Sequence, residues 1–160
     1  MSDVWGPSLL VIGLGNPDCA DDGIGPLVAQ QLADGRLGRA KVIVRTGDTL
    51  ALLDDWAEAD AVVLIDAAAL ISQPGVIHRI DLTMEALPRE LSLSSTHAFG
   101  LADALALART LDRLPQHVII YAIEGGCFEP GVIMTPAVAE AADQVVASIT
   151  SDAKRVMQSE

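Results

Sequence analysis

The stretch Val11-Ile12-Gly13-Leu14-Gly15-Asn16-Pro17-Asp18-Cys19-Ala20-Asp21-Asp22-Gly23-Ile24-Gly25-Pro26 decides how this chain is read. It runs as an apolar strand, a glycine turn, two adjacent carboxylates and a helix start. Leu9 to Ile12 form a short β-prone run of the kind buried on both faces of a parallel sheet. Gly13 and Gly15 break that run, because a residue without Cβ can take positive φ or approach another backbone closely. Asn16-Pro17 then holds the path extended or turning, and Gly25-Pro26 opens a helix with proline in its first turn, where the missing N–H is not needed.

Gly13-x-Gly15 after a strand begins a dinucleotide fingerprint, but the third glycine position is Asp18. Asp18, Asp21 and Asp22 would repel a pyrophosphate seeking helix N–H groups. A strand, a glycine turn and an acidic loop suit a cation better. The alternative is that Asp21 or Asp22 caps the helix through its side chain.

The 160 residues fit one domain spanning 1–160, and a chain of this size buries roughly two thirds of its unfolded surface. Hydrophobic residues make up 51% of the chain and aromatics only 3%, so the core is built of Ala, Val, Leu and Ile. Alternating helix and strand patterns give an α/β class. A net charge of −12, with ten Lys and Arg against 22 acids, argues against nucleic acid and anionic membranes as partners. Cys19 and Cys127 are far apart and form no C-x-x-C pair, which makes small core or loop roles the expectation. With no basic, apolar leader and no run of spanning length, a cytoplasmic monomer is expected.

Working outward, Leu27, Val28 and Leu32 give the first helix its apolar stripe up to Gly35, and Lys41 to Arg45 is a second strand. Thr46-Gly47-Asp48-Thr49 is a turn and helix cap before Leu50, Leu52, Leu53 and Trp56, with Trp56 expected in the core. Ala61 to Ile65 is the central strand, followed by Asp66. In open α/β sheets ligands sit beyond the carboxyl ends of strands, so parallel strands would put Asp66 on the same edge as Asp22. A carboxylate ending a strand is otherwise a turn former. Val76 to Leu82 alternates as an edge strand, with His78 structural. Met84 to Leu93 is a loop. Ser94-Ser95-Thr96-His97 leads into a helix patterned by Phe99, Leu101, Leu105 and Ala108. A cationic His is disfavoured in a helix's first turn, which favours a neutral, ligating His97. His117 to Ile123 is a last buried strand ending at Glu124-Gly125-Gly126. Thr135-Pro136 caps a final helix, and fraying is expected over 151–160.

Asp22, Asp66 and His97 thus supply two oxygen ligands and one imidazole from three loops, a set suited to Zn, Ni or Mn with positions left open. No Ser-His-Asp order and no H-E-x-x-H helix is present.

At this point the chain resembles the hydrogenase maturation proteases, endopeptidases that process the large subunit of nickel–iron hydrogenases. The matching motifs are Gly13-Leu14-Gly15-Asn16 with Asp21-Asp22-Gly23-Ile24-Gly25, Val63-Leu64-Ile65-Asp66-Ala67, Ser95-Thr96-His97 with Gly100 to Leu105, and Phe128-Glu129-Pro130-Gly131 with Thr135-Pro136-Ala137-Val138. The resemblance implies a three-layer α/β/α sandwich of the phosphorylase/hydrolase-like kind. Its sheet would be mixed and twisted, with about five strands, one of them antiparallel. It implies that Asp22, Asp66 and His97 bind nickel and form the catalytic site. The nickel would arrive inside the large-subunit precursor, which loses a C-terminal extension, and would be held weakly or not at all by the free protein. Metal-assisted attack of water is the simplest chemistry.

Two departures stand out. Asp22 replaces a family Glu and is one methylene shorter, so the loop must come about 1 Å nearer or coordinate differently. Arg45-Thr46-Gly47-Asp48-Thr49 replaces an Asp-Gly-Gly-Thr segment, and Asp48 is left outside the site. Gly13-Leu14-Gly15-Asn16-Pro17 also resembles the opening of peptidyl-tRNA hydrolases, but the expected Thr-Arg-His-Asn motif and basic face are missing. A nickel-sensing chaperone without catalysis is the third reading.

Overall fold

The structure, a computed structural model, describes residues 8–35, 37–38, 40–46, 49–93 and 100–158, with side chains described up to 155. Five strands form one sheet: β1 Leu9–Leu14, β2 Lys41–Arg45, β3 Ala61–Ala68, β4 Ile77–Asp81 and β5 His117–Glu124. Their order is β2-β1-β3-β5-β4, with β4 antiparallel to β5 and every other pair parallel. The mixed five-stranded sheet with one antiparallel edge strand is therefore present.

Among the described residues four α-helices cover it: α1 Ile24–Asp34, α2 Ala51–Asp55, α3 Leu101–Thr110 and α4 Pro136–Gln158. β3 shows why both faces must be covered, since all eight of its residues are buried. Val63, Ile65 and Ala67 face one side, with Val28 and Leu32 of α1 and Val138, Val145 and Ile149 of α4. Val62, Leu64 and Ala68 face the other, with Leu52, Leu53 and Trp56 from α2 and just beyond it and Leu101 and Leu105 of α3. Strand periodicity of two alternates these sets, and the result is three layers. Trp56 is in the core as expected, and its indole N–H donates to the Arg113 carbonyl at 3.0 Å.

The connections explain where a site can form. From β1 the chain crosses by α1 to β2 on one side, then returns by α2 over the opposite face to β3 on the other side of β1. Right-handed crossovers in opposite directions place helices on opposite faces and open a crevice at the carboxyl ends of β1 and β3.

The expected fraying from Ser151 is corrected: α4 continues to Gln158, and Asp152 is buried. Asp152 accepts from Arg79 of β4 at 2.8 and 3.0 Å, from Arg155, and from the Tyr121 hydroxyl of β5. Burial opposes ionisation of Asp152, but the Arg79 guanidinium outweighs it and holds the carboxyl below its ordinary range. The tail of α4 is thereby tied to the sheet.

Candidate functional site

A 3-10 turn, Ala20–Gly23, carries the acidic doublet between β1 and α1. Its shape rests on Gly15, whose φ is +132° and where a Cβ would lie 1.9 Å from the Asp22 carbonyl oxygen. One Asp22 carboxylate oxygen accepts the Asn16 N–H at 2.8 Å, and the Asn16 side chain accepts the Asp18 N–H at 2.9 Å. The glycine turn thus holds the Asp22 side chain against its own loop.

The capping alternative is corrected for both carboxylates, because the α1 N-cap is Gly23 and no side chain bonds there. Asp21 has another task. It is fully buried and accepts from the N–H groups of Gly126 at 2.7 Å, Cys127 at 3.1 Å and Thr135 at 2.7 Å, and from the Thr135 hydroxyl at 2.7 Å. Its own N–H donates to the Cys127 carbonyl at 2.9 Å. Thr135 precedes α4 as expected, but its hydroxyl serves Asp21, while its carbonyl accepts from Val138 and Ala139.

Asp66 stands within β3, in register with Ala122 of β5. Reading it as a turn former is corrected, since the strand runs on to Ala68. It is 3% exposed, and its Oδ1 accepts the Ala67 N–H at 2.9 Å. Gly25 links the two carboxylates. A Cβ there would lie 2.3 Å from the Leu14 carbonyl oxygen and 2.7 Å from that of Ile65, so the first turn of α1 is seated on the last residue of β1 and on β3 just before Asp66. Asp22 is three residues before Gly25 and Asp66 directly follows Ile65, so both carboxylates belong to one end of two neighbouring strands.

His97 lies outside the described residues, as does Asp48. Helix α3 starts at Leu101 with Gly100 as N-cap and the Asp103 carboxylate accepting the Gly100 N–H at 3.0 Å. Leu93, four residues before His97, bridges Ala68 at the end of β3. Among the described residues no three His, Cys, Asp or Glu side chains form a metal-holding group. Asp22, in the turn before α1, and Asp66, within β3, each present a carboxylate, the hard oxygen type of donor.

In the sequence Glu124 is another carboxylate that follows a strand, with its part in the site left open. It ends β5 and is 1% exposed. Its carboxylate accepts the N–H groups of Ile71 at 2.8 Å and Ser72 at 2.7 Å, and lies 2.7 Å from His78 Nε2. Burial favours the neutral acid, yet the Ser72 N–H, His78 and the Ile71 N–H outweigh it and hold the carboxyl down at about 2. His78 is structural, as expected, and together with Glu124 it fastens the segment that follows β3. Cys19 and Cys127 are free, half-buried loop residues.

Comparison with known proteins gives one family. The HycI hydrogenase maturation protease model matches residues 30–152, a span holding Asp66 and His97. The chain is 30% identical to the hydrogenase expression/formation protein HupD of Thiocapsa roseopersicina, in an alignment covering 82% of this chain and 65% of that protein. Its fold is similar to the [NiFe] hydrogenase maturation protease HybD of Thermococcus kodakarensis, with TM-score 0.71, 21% identity and coverage of 91% of this chain and 99% of that one. It is also similar to the hydrogenase maturating endopeptidase HybD of E. coli, with TM-score 0.66, 23% identity and coverage of 91% and 93%. With the family match spanning most of the chain and the fold in agreement, this protein belongs to the hydrogenase maturation protease family.

Proposed function

We infer that the protein is an endopeptidase that removes the C-terminal extension of a hydrogenase large-subunit precursor, and that it recognises nickel already loaded in that precursor. The observation that carries this reading is the seat of Gly25 on the Leu14 and Ile65 carbonyls, which brings Asp22 and Asp66 to one crevice. Family membership supplies the reaction class. In this reading Asp22, Asp66 and His97 engage the substrate's nickel, and the bridge from Leu93 to Ala68 supports His97 as the third group. Nickel is part of the substrate. The free protein holds it weakly, because two carboxylates and one imidazole lack the four ligands of a closed structural site.

The chain's own residues bind and orient. Asp22 accepts the Asn16 N–H and Asp66 the Ala67 N–H, bonds that fix how each carboxylate is presented. A precursor without nickel offers these groups no cation, and cleavage then reports metal loading. The deciding experiment incubates the protein with nickel-loaded and nickel-free precursor and reads intact mass. Loss of the extension only from the loaded form is expected. Equal cleavage of both forms overturns nickel recognition, and binding without cleavage favours a nickel-sensing chaperone.

A further inference from the structure

A groove of about 990 Å³ lies beside the loop that carries Asp22. Pro17, Pro26, Leu27, Val44, Val132 and Ile133 line it. Three of these are large aliphatic side chains left open: Ile133 is 85% exposed, Val132 43% and Val44 42%. Among the described residues its lining contains one charged residue, Asp18, and no Lys or Arg. Contiguous exposed apolar surface of this kind marks a site of protein contact.

The groove is continuous with the candidate site. Gly23 lines it and follows Asp22 directly, and a Cβ at Gly23 would lie 3.1 Å from Pro17 Cα and 3.5 Å from Met134 Cε. The segment bearing Val132 and Ile133 is also held in place. Its two ends, at Gly126-Cys127 and Thr135, are bonded to the buried Asp21 carboxylate, and its middle donates the Gly131 N–H to the Asp18 carbonyl at 2.8 Å. A surface fixed before binding loses less freedom when it docks a partner.

We propose that this groove docks an apolar segment of the precursor, free of carboxylates or carrying Lys or Arg, next to the bond that is cut. The proposal rests on the endopeptidase reading. Pro17, Asp18, Ala20 and Gly23, from the loop that carries Asp22, line the groove, so a protein substrate bound at Asp22 has this surface beside it. The protein's net charge of −12, with Asp18 in the lining, disfavours an acidic segment there.

The test compares wild type with Ile133→Asp and Ile133→Lys, using Met84→Asp as control. Met84 is 81% exposed and follows β4 at the opposite end of the sheet from Asp22. Cleavage kinetics and the Kd for nickel-loaded precursor are measured, together with melting temperature and mass in solution. Both Ile133 variants are expected to raise KM and Kd by about tenfold with kcat within about twofold, as when one apolar anchor of an interface is lost. The control should match wild type. KM and Kd within about twofold of wild type for both variants overturn the groove. So does a change from dimer to monomer with KM unchanged, which would make a second copy the occupant. Opposite effects of Asp and Lys overturn the apolar basis. Wild type that binds precursor without cutting it overturns the endopeptidase reading, and the Kd ratio still decides the groove.

Discussion

Asp21 Oδ1 accepts the Thr135 N–H at 2.7 Å across 114 residues of chain, and Oδ2 accepts the Thr135 hydroxyl at the same distance. Together with Gly126 and Cys127, these bonds close the loop before α4 onto the turn carrying Asp22. Replacing Asp21 with Ala takes away the buried carboxylate that three N–H groups and the Thr135 hydroxyl donate to, and hydrogen bonds to a charged group are worth about 1.5–3 kcal/mol each. Asp21→Ala is expected to destabilise by about 3 kcal/mol or more in urea unfolding, while Asp22→Ala changes stability by less than about 1 kcal/mol. Equal effects would show that the doublet does not divide its roles.

Precursor processing should respond in the reverse order of stability. Asp22→Ala, Asp66→Asn and His97→Ala are each expected to reduce nickel-dependent cleavage by at least about 100-fold. Far-ultraviolet circular dichroism should stay that of the wild type. Full cleavage by His97→Ala would remove His97 from the site. Asp22→Glu tests the shorter carboxylate: lower activity means that the loop has adjusted to Asp, and unchanged activity means that both lengths are tolerated.

Gly25 has no room for a side chain. Gly25→Ala would force its Cβ away from the Leu14 and Ile65 carbonyls and lift the start of α1 from the two strands. The expected result is a loss of about 1–3 kcal/mol, in the range of overpacked cores, together with lower cleavage because Asp22 moves with the helix. Gly131, where a Cβ meets nothing within 4 Å but φ is +77°, provides a contrast in which only backbone strain acts. Thermal melts of the two variants, read beside their precursor cleavage, separate crowding from strain.

Acid should weaken the fold partly through Glu124. Its carboxyl is held at about 2 against an ordinary 4.5, so it binds its proton more readily when unfolded. The stabilisation is present above about pH 4.5 and is lost as pH falls toward 2, with a total on the order of 3 kcal/mol. Glu124→Gln should flatten stability between pH 5 and pH 3 in urea titrations. An unchanged slope would assign the acid sensitivity to other carboxylates, of which Asp152 is also held low.

The order of strands and helices was legible because it rests on local patterns. The continuous apolar run of Ala61–Ile65, the helical stripe of α4 and the glycine break after β1 each span a few consecutive residues, and water exclusion acts on them whatever follows. The parallel pairing of β1 with β3, and hence the shared end of Asp22 and Asp66, followed from the intervening crossovers. What separates Asp21 from its neighbour Asp22 is invisible in the sequence, where the two are identical and adjacent. That difference is made by N–H groups 105 to 114 residues away. The buried roles of Glu124 and Asp152 and the groove beside Gly23 are of the same kind. A carboxylate is kept in a core only when distant donors satisfy it, and those donors meet it only after the sheet has closed.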